Sequence, residues 1–317
     1  MAIRQMRVWR YVDAVARAGS FRKAAEALNV TATALQRRVQ DLEADFGAEL
    51  FERLPTGVRP TAAGEALIRW VRSQAADLER VQSHIEDLSG LRRGLVRIAC
   101  SQALAQSLLP EQIALFTTAF PQVRFQVVIL DHGGVLTALR DYEVDLGLVF
   151  NPERHPDFQP LMTLGQRLVA IMATDHPLAE RPRLRLRDIA AYPLALPDPS
   201  FSGRQIVDLI MSTSSVRLDI QLEANSFELL RNYTRLTRAV TVQIEIGADA
   251  SRLGAGLVAR PIDDRDLAHG SLVLGQLRNR SLPVAVAKFA HQLARELDAG
   301  RSLPTLDRQQ TTRSGTI

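Results

Sequence analysis

The residues best suited to chemistry lie together in the stretch "NVTATALQRRVQ" (29–40). Thr31, Thr33, Gln36 and Arg37 offer hydroxyl, amide and guanidinium groups within about two helical turns. A glutamine amide can pair with adenine, an arginine with guanine, and both can bind phosphate. Lysine occurs only at positions 23 and 288, so arginine supplies nearly all the positive charge of a chain with net charge +4. A GC-rich genome would also produce this bias, so the position of the arginines, rather than their number, indicates nucleic-acid contact.

These side chains need a helix to present them, and the surrounding pattern predicts three. A first amphipathic helix is followed by Ser20, a good N-cap for a second helix over Phe21–Leu28. After a tight turn, Thr31 or Thr33 can cap a third helix that runs to about Phe46. Two short helices joined by a brief turn, the second polar at its start, are typical of a helix-turn-helix, whose second helix enters the major groove.

A short hairpin follows the third helix. The segment "LFERLPTGVRPT" (50–61) predicts strand, turn and strand, with Arg53 and Arg59 on either side of the tip at 55–57. Such a wing would reach phosphates or the minor groove. The alternative is a small helical domain whose arginines are only solvated, but caps, turn and hairpin occur here together and in order.

A long helix is predicted from residue 62 to 88. Its apolar positions advance by alternating steps of three and four, the 3.5-residue period of a two-stranded coiled coil. An amphipathic helix lying on its own domain is the alternative. The dimer is favoured because recognition of two DNA half-sites requires two DNA-binding domains related by symmetry. The predicted dimerisation residues are Leu67, Val71, Leu78, Val81, Ile85 and Leu88.

From residue 95 onward, strand and helix patterns alternate. "LVRIAC" (95–100), "VRFQVVIL" (123–130) and "DLGLVF" (145–150) are predicted strands with helices between them. This βαβαβ series indicates a largely parallel α/β sheet, and a second series follows it.

The N-terminal pattern resembles that of the LysR-type transcriptional regulators. The matching motifs are "GSF" at 19–21, "AA" at 24–25, "LE" at 42–43, "FG" at 46–47, "LFER" at 50–53 and "TAAG" at 61–64. The resemblance implies an α/β protein with an N-terminal winged helix-turn-helix, a long linker helix and a two-lobed effector domain of periplasmic-binding-protein-like (type 2) architecture. The expected divisions are 1–60 for DNA binding, 61–89 for the linker, 90–301 for the effector domain and 302–317 for a disordered tail. Lobe I would comprise about 95–163 and 267–301, and lobe II about 164–266.

Candidate ligand contacts follow from the rule that ligands of open α/β sheets bind beyond the carboxyl ends of strands. By resemblance, Ser101, Phe201 and Thr241 match positions where family members hold small carboxylates, although hydroxyls such as those of Ser101 and Ser202 could equally be helix caps. The predicted effector-binding residues are Ser101, Gln102, His132, Phe150, Phe201, Ser202 and Thr241. The predicted DNA-binding residues are Ser20, Thr31, Thr33, Gln36, Arg37, Arg53 and Arg59.

Two departures from the family pattern fall where specificity is set. Ala32 stands where family members commonly carry glutamine, so Gln36 is expected to supply a replacement base contact. The segment 237–240 ("TRAV") replaces a glycine-containing motif, which predicts a narrower cleft with Arg238 near it.

Several function classes are disfavoured. The single cysteine, Cys100, precludes an internal disulfide framework, and the six histidines lack metal-ligand spacing, so no metal and no cofactor are expected. The N-terminus lacks a signal peptide and no apolar run could span a bilayer, which predicts a cytoplasmic protein without membrane contact. No nucleophile elbow, phosphate loop or dinucleotide fingerprint supports an enzyme.

The expected function is therefore a sequence-specific bacterial transcription regulator. Its expected partners are double-stranded DNA carrying an interrupted inverted repeat, a small-molecule effector such as a carboxylate, and copies of itself as a homodimer or homotetramer. RNA polymerase is a further candidate partner. The alternative is an architectural or ligand-independent DNA-binding protein, which would bind DNA without sequence preference and with a steep salt dependence.

Overall fold

The computed structural model describes residues 2–88, 93–106, 108–212, 218–248, 253–262 and 270–300. The chain forms two compact units, one made mainly of residues 1–82 and the other of most of the chain from Ser83 onward. The predicted tail at 302–317 lies outside the described residues. None of the described helices is long and apolar enough to cross a membrane.

The first unit has three helices, a hairpin and a long helix. The elements are α1 (Ala2–Ala18), α2 (Phe21–Ala27), α3 (Ala32–Phe46), β1 (Phe51–Leu54), β2 (Gly57–Pro60) and α4 (Ala62–Leu88). The predicted start and end of α4 are confirmed. Ser20 is the N-cap of α2 and Thr31 the N-cap of α3, while Gly47 ends α3 in the left-handed conformation.

Small side chains let α2 lie close to its neighbours in this unit. Ala24 and Ala25 are buried, together with Leu35 and Val39 from the inner face of α3. A polar tie closes the end of the same core, because the Glu43 carboxylate accepts hydrogen bonds from the backbone at the start of β1.

The N-terminal part of α4 belongs to this core. Leu67 and Val71 are 9% and 6% exposed and pack with Val12, Val15 and Leu50. The first turns of α4 thus pack their apolar face against their own unit, which leaves little of the predicted dimerisation residues Leu67 and Val71 exposed to a second copy.

The hairpin β1–β2 is antiparallel, and its register places Glu52 opposite Arg59. Gly57, with φ of 145°, lies against the backbone of Gly19, where a Cβ would have no room. The amide of Val58 donates to the Gly19 carbonyl at 2.9 Å, so the hairpin is fixed to the end of α1.

The second unit contains a five-stranded sheet, of order β4-β3-β5-β12-β6. Its strands are β3 (Arg93–Cys100), β4 (Gln122–Ile129), β5 (Leu146–Phe150), β6 (Phe158–Gln166) and β12 (Gly270–Leu277). The pairs β3–β4 and β3–β5 are parallel as predicted, whereas β12 is antiparallel to both its neighbours. The helices that connect or cover these strands are α5 (Gln102–Ala105), α6 (Leu108–Ala119), α7 (His132–Arg140) and α11 (Val284–Gly300).

The segment between β6 and β12 forms the second lobe. Its strands are β7 (Leu168–Ala173), β8 (Leu194–Pro197), β9 (Ile220–Ala224), β10 (Thr241–Ile244) and β11 (Leu257–Pro261). They form a three-stranded sheet, of order β10-β7-β11, and a two-stranded sheet, β8-β9. In the three-stranded sheet β7 is antiparallel to both β10 and β11, an arrangement that the sequence did not predict. The parallel pair β8–β9 joins it through a bridge between Leu194 and Val240. The helices of this half are α8 (Leu186–Ile189), α9 (Ser202–Ser212) and α10 (Phe227–Leu236), with a 3₁₀ turn over Glu245–Ala248.

The chain passes from the first lobe to the second at Gln166 and Arg167, and both side chains are held there by hydrogen bonds. The side-chain oxygen of Gln166 accepts from the Ile246 amide at 2.9 Å. The guanidinium of Arg167 donates to both carboxylate oxygens of Glu245, at 3.0 and 2.8 Å. These bonds fix the conformation of the segment that connects the two lobes.

Candidate nucleic-acid interface and ligand cleft

The outer face of α3 carries an uncovered set of hydrogen-bonding side chains. Thr33 and Arg37 are exposed and Gln36 is half-buried, one turn apart on the N-terminal half of the helix. The Thr31 hydroxyl accepts the Ala34 amide at 3.2 Å, so that hydroxyl is already used to begin the helix. Arg38 is also exposed on this helix, and it was not among the predicted residues. The exposed donors can reach base edges or phosphates, as a recognition helix requires.

The remaining residues predicted to contact DNA differ in whether their side chains already make hydrogen bonds or ion pairs. Ser20 caps α2 through a long hydrogen bond of 3.5 Å from the Lys23 amide. Arg59 is exposed, but its Nε lies 2.6 Å from the Glu52 carboxylate across the hairpin, which partly neutralises its charge. Arg53 is exposed on the other strand, close to the tip. Arg53 is therefore the better phosphate ligand of the two.

A cleft with about 540 Å³ of empty space, part of it open to solvent, lies between the two lobes of the second unit. From the first sheet, Ser101, Asp131 and Phe150 line it at the carboxyl ends of β3, β4 and β5. From the other half come the segment 200–203 at the start of α9, Phe227 at the start of α10, and residues 242–244 of β10. Four of the predicted effector contacts thus come together: Ser101, Phe150, Phe201 and Ser202.

Three predicted contacts do not join this set. Gln102 points away to α10, where its side-chain oxygen accepts the Phe227 amide at 2.7 Å. Thr241 is buried at the beginning of β10 rather than at a carboxyl end, and it is not among the residues lining the cleft. The side chain of His132 lies outside the described part of the structure. Arg238, expected near the cleft, is instead exposed at the far end of α10 beside His176.

The cleft is apolar with a few polar points. Phe201 and Phe227 meet edge to face at 5.2 Å, and valine, leucine and isoleucine side chains cover much of the rest. The hydroxyl of Ser101 is buried and has no hydrogen-bond partner among the described residues, although Ser101 occupies the N-cap position of α5. A buried donor left unpaired is costly, so a polar ligand group at this point would be stabilised.

The loop before α9 is held in place by Asp198. Its carboxylate accepts the Ser200 amide at 2.8 Å, and this bond lowers the pKa of Asp198 below its usual range. The Asp198 amide in turn donates to Ala224 at the end of β9. The serines of this loop are thereby positioned at the cleft by one local turn and one contact to a distant strand.

Cys100 lies at the end of β3, next to Ser101, and is fully buried. Burial raises the pKa of its thiol to about 12, because the thiolate would be poorly solvated. The residue therefore fills the core as a neutral thiol. No cluster of metal-ligating side chains exists among the described residues.

Two family models match the chain, and together they span both units. The one described as "Bacterial regulatory helix-turn-helix protein, lysR family" matches residues 6–65, and the one described as "LysR substrate binding domain" matches residues 89–298. This chain belongs to the LysR family. It is a DNA-binding transcriptional regulator with an effector-binding domain, and not an enzyme.

Curated relatives agree with membership of the LysR family. The chain is 34% identical over 179 residues to the "HTH-type transcriptional regulator CbbR" of Sinorhizobium medicae, a match that covers 56% of each protein. It is 26% identical over 277 residues to a "Probable RuBisCO transcriptional regulator" of Synechocystis, with 85% of this chain and 76% of that protein covered.

Solved structures share the LysR-family fold across nearly the whole chain. A full-length cysteine-to-aspartate variant of OxyR from Pseudomonas aeruginosa superimposes with a TM-score of 0.70 at 20% identity, covering 91% of this chain and 94% of that one. CbnR, solved in complex with its target DNA, gives 0.60 at 20% identity, covering 92% and 99%.

Proposed function

We propose that this LysR-family regulator recognises an interrupted inverted repeat as a dimer or a dimer of dimers. Its binding to DNA changes when a small molecule occupies the cleft. The observation that carries the effector part is the buried hydroxyl of Ser101 at the wall of the cleft, which lacks a hydrogen-bond partner in the part of the chain that the structure describes. A side-chain donor kept in an apolar site without a partner is what a ligand-binding position provides in the unliganded state.

DNA reading is assigned to the exposed face of α3. Arg37 is well placed to donate to a guanine or a phosphate, and Gln36 to an adenine, since both lie in the first two turns. Ala32 is the first residue of α3 and offers no side-chain donor, so base discrimination rests on Thr33, Gln36 and Arg37. The wing, through Arg53, is assigned to the phosphate backbone.

Self-association is assigned to the part of α4 beyond the core of the first unit. Leu78, Val81, Ile85 and Leu88 are 41%, 44%, 58% and 76% exposed and continue the three-and-four spacing along one face. Such a stripe buries its apolar surface against a second copy of the helix. The paired helices would hold together the two DNA-binding domains that recognise the two half-sites.

A second self-contact is needed for a tetramer, and an edge of the five-stranded sheet supplies a candidate. Strand β4 is an edge strand, and its residues Val127, Val128 and Ile129 are exposed, as is Leu115 of the neighbouring helix α6. An apolar edge strand favours pairing with another chain. We also propose contact with RNA polymerase and a cytoplasmic location. The proposed domain division is 1–60, 61–89 and 90–301, and the ranges matched by the two family models support it.

Operator selection from a random DNA pool with the full-length protein tests this function at physiological salt. Enrichment of an inverted repeat with a spacer is expected. Substituting Arg37 with alanine should then cost about 1–3 kcal/mol at one base-pair position and little at the others, because a base contact is position-specific. The variant Arg69→Ala, which removes an exposed arginine from α4, is the matched control.

Two results would oppose the proposal. Equal loss of affinity on every sequence would make Arg37 a phosphate clamp. A protein that enriches no sequence and binds with a steep salt dependence would instead be the architectural alternative.

A further inference from the structure

The hairpin of the first unit ends in an exposed leucine. Leu54 is the last residue of β1 and is 41% exposed, and the two turn residues Pro55 and Thr56 follow it. Proline at the first turn position and Gly57 after the second are the residue order that favours a type I turn. Neither the turn nor a phosphate contact requires an apolar side chain at position 54, so the leucine calls for another role.

Within the described hairpin, no side chain faces Leu54 from the opposite strand. The register pairs Leu54 with Gly57, which has no side chain. A larger residue is excluded at Gly57, because its φ of 145° and the approach of the Gly19 carbonyl leave no room for a Cβ. The contact that fixes the hairpin to the end of α1 therefore also leaves the leucine open.

The charges near Leu54 are divided between the two faces of the hairpin. Residues two apart on a strand point to the same face, so Leu54 shares its face with Glu52 and with Arg59, which is opposite Glu52. That acid and that base are already paired at 2.6 Å, so this face carries little net charge. Arg53 points to the other face, where it is exposed and makes no recorded ion pair in the described structure. The hairpin thus has one nearly neutral face with an apolar end and one cationic face.

Hydrogen bonds hold the hairpin in place before DNA is bound. The Glu43 carboxylate accepts the amides of Leu50 and Phe51 at 2.8 and 3.3 Å, and the Val58 amide donates to the Gly19 carbonyl at 2.9 Å. A side chain carried on a rigid arm loses little conformational freedom on binding. Burial of Leu54 in a complex would therefore contribute most of its free energy to affinity.

We infer that Leu54 is an apolar wedge that the hairpin inserts into the minor groove beside each half-site, where it partly unstacks one base step. The inference rests on the proposed DNA-reading function and adds to it a residue that determines specificity through the shape of the DNA. With α3 assigned to the major groove, the hairpin is left to the minor groove, whose bordering phosphates suit the free guanidinium of Arg53. Apolar side chains that enter this groove separate a base step and bend the duplex.

DNA fits this surface better than a second copy of the chain does. Two copies meeting at their hairpin tips would bring two Arg53 side chains together, and like charges repel. On DNA the same arginine faces phosphates, so the charge beside Leu54 is compensated.

The wedge predicts a sequence preference that no hydrogen bond supplies. Pyrimidine–purine steps, TA and CA/TG, are the most easily unstacked, so one of them should be enriched under the hairpin. The amino group of guanine lies in the minor groove, which favours TA over CA/TG at this place.

The first test is operator selection from a random DNA pool, run in parallel with full-length wild-type protein and Leu54→Ala. The wild-type protein is expected to enrich a flexible step at a fixed distance from the positions read by α3. Leu54→Ala should lose that enrichment and keep the rest of the operator. On the wild-type operator its affinity should fall about fivefold to tenfold, as the loss of part of the burial of a leucine implies.

The salt dependence of binding separates a wedge from a phosphate contact. The slope of log affinity against log salt concentration counts neutralised phosphates, so Leu54→Ala should leave it unchanged. Arg53→Ala should weaken binding and reduce the slope by about 1. The matched control is Phe46→Ala, which removes a 57% exposed apolar side chain at the end of α3 and should change neither affinity nor slope.

A 2-aminopurine base placed at the enriched step reports unstacking directly. Its fluorescence should rise when the wild-type protein binds and should not rise with Leu54→Ala. Leu54→Met keeps an apolar side chain of similar volume and should retain the rise. Thermal unfolding and sedimentation velocity of each variant record its stability and oligomeric state.

The outcomes separate the inference from the proposed function. A Leu54→Ala protein that selects and binds DNA as the wild-type protein does overturns the inference and leaves the proposed function intact. Weaker binding by Leu54→Ala without any fluorescence rise in the wild-type complex also overturns it, because the leucine would then touch DNA without opening a step. An altered oligomeric state with unchanged DNA selection would assign Leu54 to self-association. If the wild-type protein selects no operator, the inference and the DNA-reading part of the proposed function fail together.

Discussion

Gln102 and Phe227 tie the two halves of the effector-binding unit together, since the side-chain oxygen of Gln102 accepts the amide of Phe227 at 2.7 Å. Gln102 opens α5 beside the five-stranded sheet, and Phe227 is the first residue of α10 on the other lobe. The first amide of a helix has no partner within that helix, so the glutamine acts as a cap supplied from across the cleft. The Ser226 hydroxyl caps the same end by accepting the Leu229 amide. This pair is therefore a direct hydrogen bond between the two lobes.

Replacing Gln102 with alanine should therefore weaken the contact between the two lobes. The Phe227 amide would lose its partner, and we expect a loss of about 1 kcal/mol in the free energy of unfolding of this unit. Hydrogen exchange at the first turn of α10 should accelerate, and this is the measurement to make. The control is Gln205→Ala, because the recorded bond of that side chain within the described structure goes to the exposed carbonyl of Pro199. Unchanged exchange at Phe227 in the Gln102 variant would show that Ser226 alone keeps the helix end in place.

The two threonines at the start of α3 should differ in their effect on stability. Thr31 accepts the Ala34 amide and caps the helix, whereas Thr33 is exposed and makes no recorded side-chain hydrogen bond in the described structure. Thr31→Ala should lower the stability of the first unit by about 1 kcal/mol, and Thr33→Ala by less than about 0.5 kcal/mol. Thermal unfolding followed by Trp9 and Trp70 fluorescence reports on this unit. Equal effects of the two substitutions would contradict the assignment of the cap.

The α4 helix should respond differently to substitution at its two ends. Ile85→Glu places a charge in the exposed stripe and should dissociate the dimer at micromolar concentration without unfolding the chain. Leu67→Ala instead removes a buried side chain from the first unit and should cost about 2–5 kcal/mol of stability. Sedimentation velocity and circular dichroism distinguish the two. A fully associated Ile85→Glu protein would refute the role of the stripe.

His176 should make the second unit less stable in mild acid. Burial lowers the pKa of this imidazole, whose Nδ1 accepts the Leu178 amide at 3.1 Å. The unfolded chain then takes up the proton more readily, so the stabilisation is complete above an unfolded-state pKa near 6.5 and is lost as pH falls below it. The slope is at most about 1.4 kcal/mol per pH unit. Denaturant titrations between about pH 7.5 and pH 5, in steps of roughly half a unit, measure it.

The matched variants for this prediction are His176→Asn and Tyr192→Phe. Asparagine can accept the same amide through its side-chain oxygen but does not titrate, so this part of the slope should disappear. Tyr192, whose ring meets that of His176 at 4.5 Å, can lose its hydroxyl without changing the packing, and the slope should remain. A slope that is identical in the wild-type protein and His176→Asn would assign the acid sensitivity to other groups.

Local patterns were sufficient wherever a residue's role depends on its neighbours in the chain. Ser20 and Thr31 cap helices in the structure as expected, because a cap is formed within three residues. The limits of α4 at Ala62 and Leu88 follow from the apolar period in the same way. The exposed Arg37 and the hairpin that carries Arg53 are likewise set by segments of fewer than about 20 residues. The DNA-reading half of the protein was accessible to inspection of the sequence for this reason.

Tertiary structure decided the rest. Periodicity shows that Leu67 and Leu78 share one face of a helix, but only the fold reveals that the first is covered by its own domain and the second is not. Thr241 and Gln102 have suitable side chains beside strand ends, yet strand direction buries one and a cross-lobe contact occupies the other. Gln243 and Arg231 lie 12 residues apart on different elements, and nothing local marks them as partners. The sequence by itself determined the helices, the strands and the family, because these are short-range properties; the composition of the cleft and the free surface of α4 depend on which distant segments come together.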